Sequence, residues 1–231
     1  MSDDAPNLPL DSMNRRSHSI RFSILQRNVQ QEVEIIGRYL VSVTSAFETE
    51  YSRYDESLKN IPDDLPVDQV ELLAEDHAEI QDDYVVRFPA FAHETTFVST
   101  YSFLECQMMN ICRSVGCHLK IRLGPEELKD KGIVAAKTYL EKLCGITVPS
   151  GTLWNNATQF GVLRNIFTHS GGRVKADNKP VQQYVTASCG KLAIRDGRLQ
   201  ISRDFCSDVL DNVKELLESL LRLAQARINE K

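Results

Sequence analysis

No apolar stretch in this chain approaches the roughly 20 residues that a membrane-spanning helix requires. The longest apolar runs are short and broken by charge. Aromatic residues are few, at 7%, and glycine stands at 11 of 231 residues, less of both than a long sheet-rich fold normally uses. The N-terminal MSDDAPNLPLDSMNRRSHS is polar, holds two prolines and a basic pair, and lacks the apolar core of a secretory signal. It reads as a disordered lead-in over residues 1–18. No Cys-x-x-Cys pair occurs among the six cysteines. Cys112, Cys117 and His118 lie close together, but their spacing fits no common zinc pattern and lacks a fourth ligand. Reduced thiols, no metal, no cofactor and a cytoplasmic location are therefore expected.

Charge is unevenly distributed. The net −5 speaks against a nucleic-acid binder when taken alone. Yet nine acids fall between Asp63 and Asp83 with no Lys or Arg among them, and the rest of the chain has 27 bases against 23 acids. From Gly171 to Arg203 the bias is stronger: Arg173, Lys175, Lys179, Lys191, Arg195, Arg198 and Arg203 stand against Asp177 and Asp196 alone.

Periodicity predicts an all-α protein with one small β-hairpin before the last helix. A first helix over about Ser19–Leu58 carries a stripe from Leu25 through Val29, Val33, Ile36 and Leu40 to Leu58, in steps of three and four. A second, acidic helix is expected over about Val67–Val86, ended by Pro89. A third, His93–Leu119, has Phe97, Tyr101, Leu104, Met108 and Ile111 on its core face, with Gly116 near its end. A fourth covers Glu126–Leu143 and stops at Cys144-Gly145. A fifth is capped by Ser150 or Thr152, runs to about Thr168, and is closed by Gly171-Gly172. Beyond it, Leu192/Ile194 and Leu199/Ile201 alternate about Asp196-Gly197. A two-residue turn there pairs Ile194 with Leu199 and Leu192 with Ile201. A last helix, Asp204–Ala226, buries Val209, Val213, Leu216, Leu217, Leu220 and Leu223. Residues 19–90 thus form an N-terminal helical extension, a long helical pair, and 91–231 the main helical domain, the two expected to pack as one compact unit.

Chemistry concentrates at the end of the fifth helix, WNNATQFGVLRNIFTHSGG. Asn165 and His169 are four apart and share a face, and the long Arg164 side chain can reach back toward the imidazole. An imidazole that titrates near neutral pH can take a proton from a ribose 2′-hydroxyl or return one to a leaving oxygen. A guanidinium can hold the scissile phosphate and its developing charge. The same three residue types also suit ordinary helix termination, since His and Arg favour the negative end of the dipole and Asn often stops helices.

Arg164-Asn165-Ile166-Phe167-Thr168-His169 resembles the Arg-Asn-x-x-x-His motif of HEPN domains. The long helix with Ser102-Phe-Leu-Glu105, the stretch Ile133–Leu143 with Tyr139-Leu140, and the Gly-Gly, hairpin and final helix resemble the surroundings of that motif in larger members, so the likeness covers roughly His93 to the C-terminus. The resemblance implies a HEPN-like helical bundle and a homodimer in which two motifs meet to form one metal-independent endoribonuclease site. It also implies RNA as substrate, and an antitoxin or other regulatory protein as partner in toxin–antitoxin or antiviral (phage-defence) settings. Arg164 and His169 would be catalytic and Asn165 supporting. Glu105 is either a partner of Arg164 or an ordinary helix-surface carboxylate. Arg173, Lys175, Arg195 and Arg198 would contact RNA. Other HEPN members are catalytically silent scaffold or binding modules, which is the competing reading.

Overall fold

The computed structural model describes residues 10–62 and 65–230. The chain is predominantly helical, with one two-stranded antiparallel sheet. In order it forms α1 (Leu10–Leu58), α2 (Val67–Asp82), a π-helical turn (Asp83–Arg87), α3 (Phe88–Leu119), a 3₁₀ turn (Pro125–Glu127) and α4 (Gly132–Tyr139). A second π turn (Leu140–Cys144), α5 (Thr152–Ser170), α6 (Lys179–Ala187), β1 (Leu192–Arg195), β2 (Arg198–Ile201) and α7 (Arg203–Asn229) complete it. No helix of the described residues is long and apolar enough to cross a membrane.

Several boundaries differ from expectation for identifiable reasons. Residues 1–9 of the expected lead-in lie outside the described residues, and α1 begins at Leu10 rather than near Ser19. Pro89 does not end the second segment. The chain stays helical from Val67 through Leu119, and the wide π turn at Asp83–Arg87, one residue ahead of the proline, changes the i→i−4 ladder where the missing proline N–H would interrupt it. The single helix expected over Glu126–Leu143 is broken, because Gly132 takes φ +58 with the Glu105 carboxylate lying against it, a position where a side chain would not fit. Gly116 lies within α3 rather than closing it: the Tyr139 hydroxyl packs where its Cβ would be. Thr152 is the first residue of α5, after Gly151 at φ +87. The helix α6 was not foreseen.

The chain divides into two compact units. The first comprises the described residues of Met1–Val33, with Tyr101–Gln159 and Asp211–Lys231. Its core holds Phe22, Val29, Leu104, Met108, Ile111, Val115, Tyr139 and Leu140, with Val213, Leu216, Leu217 and Leu220 from α7, all buried. Leu223, expected in the core, is 40% exposed, as is Leu143 at the end of its apolar stripe. Gly145 ends the second π turn at φ +69, and Arg227 Nε donates to the Cys144 carbonyl at 3.1 Å.

The second unit comprises Glu34–Thr100 and Phe160–Leu210. Its centre is an aromatic cluster. The Phe97 ring lies 6.3 Å from Phe160, 5.9 Å from Phe167 and 5.9 Å from Phe205. Edge-on pairs of this kind add about 0.5–1.5 kcal/mol each beyond area burial, so Phe97→Ala should cost about 3–5 kcal/mol. The hairpin has the predicted register, Leu192↔Ile201 and Ile194↔Leu199. Its turn residues Asp196 and Gly197 both have positive φ, at +50 and +73, as a type I′ turn requires. Leu192, Leu199 and Ile201 are buried and Ile194 is half-buried. In contrast α2 has no buried residue.

Candidate functional site

The motif occupies the last two turns of α5. Leu163, Ile166 and Phe167 are buried and hold this end of the helix against the aromatic cluster, which turns Asn165 and His169 outward to solvent. Arg164 is half-buried. Its Nη1 donates to Asn165 Oδ1 at 3.1 Å, so the amide orients the guanidinium. Thr168 Oγ1 donates to the Arg164 carbonyl at 3.0 Å. Asn165 and His169 share a helix face by register.

Two left-handed glycines stop the helix, Gly171 at φ +56 and Gly172 at φ +81. The Gly172 N–H donates to the Ile166 carbonyl at 3.1 Å, a Schellman-like closure that turns the chain back on the helix. The chain then joins the hairpin. The Leu199 N–H donates to the Gly172 carbonyl at 2.9 Å, the Val174 N–H to the Gly197 carbonyl at 2.8 Å, and Arg173 bridges Arg198. A Cβ at Gly172 would lie 3.4 Å from Arg198 Nε and 3.5 Å from the Phe167 ring.

This arrangement gathers the basic residues singled out in the sequence. Arg173, Lys175, Arg195 and Arg198 are all exposed, and Arg195 stands directly opposite Arg198 in the hairpin. Arg198 Nη2 approaches Glu94 Oε2 at 3.8 Å. Burial pushes the Glu94 carboxyl above its ordinary range, and Arg198 pulls it partly back. Glu105 belongs to the first unit, where its carboxylate lies against Gly132.

Beside the motif runs a groove of about 510 Å³, lined by Val86, Phe88, Phe91, Glu94, Phe167 and Arg198 among others. Phe91 is 71% exposed. Sequence reasoning missed this groove because Phe88 and Phe91 fall in the gap between the helix expected over Val67–Val86 and the one expected from His93.

His93, His77, Phe160 and Trp154 have structural explanations. His93 does not mark a helix end. It sits inside α3, and Nδ1 lies 3.0 Å from the Ile201 carbonyl, which makes Nδ1 the protonated nitrogen. Burial lowers its pKa. His77 is half-buried and stacks on Tyr54 at 5.8 Å. Phe160 is buried, and Trp154 lies under Lys137 Nζ at 4.5 Å. The described residues contain no cluster of metal-binding side chains, and all six cysteines are unpaired. Burial pushes the thiols of Cys144 up to about 11 and Cys206 up to about 12, so both are packing groups rather than nucleophiles.

No protein-family model, curated protein or solved structure matches this chain.

Proposed function

We propose that this chain is a metal-independent endoribonuclease of HEPN type that works as a homodimer. Arg164 and His169 are the catalytic residues and Asn165 their support. The observation that carries this reading is the outward-facing end of α5, where Asn165 holds the Arg164 guanidinium at 3.1 Å and His169 stands exposed on the following turn. His169 takes the proton from the ribose 2′-hydroxyl, and the 2′-oxygen attacks the neighbouring phosphorus. The bond to the 5′-oxygen breaks, leaving a 2′,3′-cyclic phosphate on one fragment; the 5′-oxygen takes a proton from water or from the His169 imidazolium to become the 5′-hydroxyl of the other, and His169 returns to its neutral form by losing its proton to that oxygen or to the hydroxide left in solvent. Arg164 stabilises the charge that accumulates on the phosphoryl oxygens. Arg173, Lys175, Arg195 and Arg198 draw in the flanking backbone.

The test is incubation of the purified chain with mixed single-stranded RNA, with and without chelator. Cleavage that persists in chelator, yields cyclic-phosphate ends and disappears in His169→Ala and Arg164→Ala is the expected result. His169→Ala should keep the helical circular dichroism and melting of the parent, since an exposed imidazole at a helix end contributes at most roughly 1 kcal/mol. Light scattering should give a dimer; a stable monomer at micromolar concentration would contradict a composite site.

The competing reading is a catalytically silent binding module, which the net charge of −5 favours. Intact RNA after incubation with every form of the chain would select it.

A further inference from the structure

The groove beside the motif combines an aromatic ring open to solvent, a guanidinium and a half-buried carboxylate. Phe91 presents 71% of its surface although Phe88, Phe167 and Val86 lie along the same groove. An aromatic residue left this exposed next to other apolar side chains is a platform waiting for a flat or apolar partner. Charge decides which partner. Arg198 lines the groove; Arg195 pairs with Arg198 across the hairpin, and Arg173 bridges Arg198 from the other side. Like charges set directly opposite each other destabilise a hairpin, and a polyanion removes that cost where an apolar peptide does not.

We propose that this groove binds an unpaired guanine of the RNA, with the base stacked on Phe91. The proposal rests on the ribonuclease reading above. The groove adjoins the motif helix through Phe167, which lines it, and through Gly172, three residues past His169, where a Cβ would lie 3.4 Å from Arg198 Nε and 3.5 Å from the Phe167 ring. Its volume of about 510 Å³ suits a nucleotide-sized ligand. Glu94 and Arg198 select the base. Their charged groups lie side by side at 3.8 Å. Guanine presents two adjacent donors, N1–H and N2–H, to a carboxylate, with the O6 acceptor next to them for a guanidinium. Uracil offers a single N–H between two acceptors and leaves the carboxylate half-satisfied. Glu94 is half-buried in α3, so it is held in place for this contact.

The experiment uses the full chain carrying His169→Ala, which keeps the probe intact. Fluorescence anisotropy compares a labelled oligouridylate bearing one central guanosine with the all-uridine oligomer. The guanosine probe should bind about tenfold more tightly. Phe91→Ala should weaken both probes by about 5- to 100-fold, the range for loss of one stacked base, while Phe91→Tyr should retain affinity. Glu94→Gln should abolish the guanosine preference and leave the all-uridine affinity in place. Circular dichroism of each variant should match the parent, because Phe91 takes no part in the core. Unchanged affinity in Phe91→Ala, or a guanosine preference that survives Glu94→Gln, overturns the proposal, and assigns the groove to an apolar peptide or other partner. Cleavage is read separately on the chain with His169 intact. Base-selective binding without cleavage would refute the nuclease and keep the groove; cleavage with Phe91→Ala binding normally would refute the groove and keep the nuclease.

Discussion

Arg195 and Arg198 face each other directly across the closing pair of the hairpin. The positions beside a type I′ turn accept many residues, and two guanidiniums there repel by a few tenths of a kcal/mol or more. Arg173, bridged to Arg198 from the opposite side, adds a third positive charge. Glu94, at 3.8 Å from Arg198, offsets part of the cluster. The hairpin is therefore less stable than it need be, and the cost falls beside the motif helix.

The first prediction follows from that conflict. Arg195→Thr should raise the melting temperature slightly, consistent with a gain of about 0.3–1 kcal/mol, because threonine suits a strand and removes the opposed charge. The same variant should weaken RNA binding and reduce the salt dependence of that binding by about one contact. A variant that loses stability, or that binds RNA as the parent does, would show that Arg195 serves the fold rather than the ligand.

A second prediction concerns the glycine pair. Gly172→Ala should destabilise by about 1–2 kcal/mol, because its φ of +81 strains any side chain, while the new Cβ would meet Arg198 and Phe167 only at ordinary contact distance. For a chain of this size each kcal/mol lowers the melting temperature by roughly 2–4 °C. Gly171→Ala should cost less, since its φ of +56 lies at the centre of the left-handed region and no atom stands within 4 Å of the new Cβ. Thermal melts of the two variants check the order; equal losses would mean that the difference in φ between the two positions is immaterial.

Much of this architecture is legible in the residues, and the exceptions are instructive. The Asp196-Gly197 turn and the pairing of Leu192 with Ile201 follow from turn chemistry and alternation alone, because both are local. The stripe Phe97, Tyr101, Leu104, Met108, Ile111 is buried as its spacing requires. What escaped notice depends on short-range detail or tertiary context. α6 is only 9 residues long, too short for a periodic signal, though Asn178 accepting from the Val181 N–H and Pro180 in the first turn mark its start. Pro89 reads as a stop and is not one, because a π turn precedes it. Leu143 and Leu223 satisfy the helical stripe yet stay exposed, as the edge of an apolar face often does. The position of Arg164, Asn165 and His169 at a helix end was plain from the Gly-Gly stop. The groove next to them was not, since it joins side chains more than a hundred residues apart in sequence.

His93 gives a third prediction, for pH. Neutral His93 donates Nδ1–H to the Ile201 carbonyl at 3.0 Å, and burial, with Arg203 adding to it, lowers its pKa below the ordinary 6.5. The folded state therefore binds this proton less readily than the unfolded chain. The contribution of His93 is complete above about pH 6.5 and is lost as pH falls from there toward the depressed folded value. Glu94, whose pKa is raised, acts in the opposite sense, favouring the fold as pH falls toward the carboxylate range. His93→Asn, whose amide nitrogen can replace Nδ1, isolates the first effect. The melting-temperature advantage of the parent over His93→Asn should be flat above pH 7 and should shrink between pH 6.5 and 5. An advantage that grows on acidification would reverse the assignment.

The last prediction concerns α2. The nine acids of Asp63–Asp83 include Asp63 and Asp64, which lie outside the described residues, and seven others that sit on or beside this helix. No residue of α2 is buried. Such a helix contributes little to a core, and its charge is disposed to act on what approaches from solvent. The acidic helix should therefore restrain binding of a polyanion by the basic hairpin. Asp83 is excluded from the test because its Oδ1 accepts from Arg87 Nη1 at 2.8 Å, and removing it would disturb the π turn. Replacing Asp76, Glu79 and Asp82 with Asn or Gln changes exposed groups alone, so stability should stay within about 0.5 kcal/mol of the parent. RNA affinity should rise several-fold at low salt. That gain should shrink as salt is added, because exposed charges are screened over about 10 Å at 0.1 M. Phosphate contacts also weaken with salt, so the informative quantity is the ratio of variant to parent affinity at each ionic strength, in which the shared phosphate contribution cancels. A ratio of one at every salt concentration would show that the acids of α2 merely solvate its outer face. A ratio above one that does not fall with salt would point to a change in helix packing instead of charge.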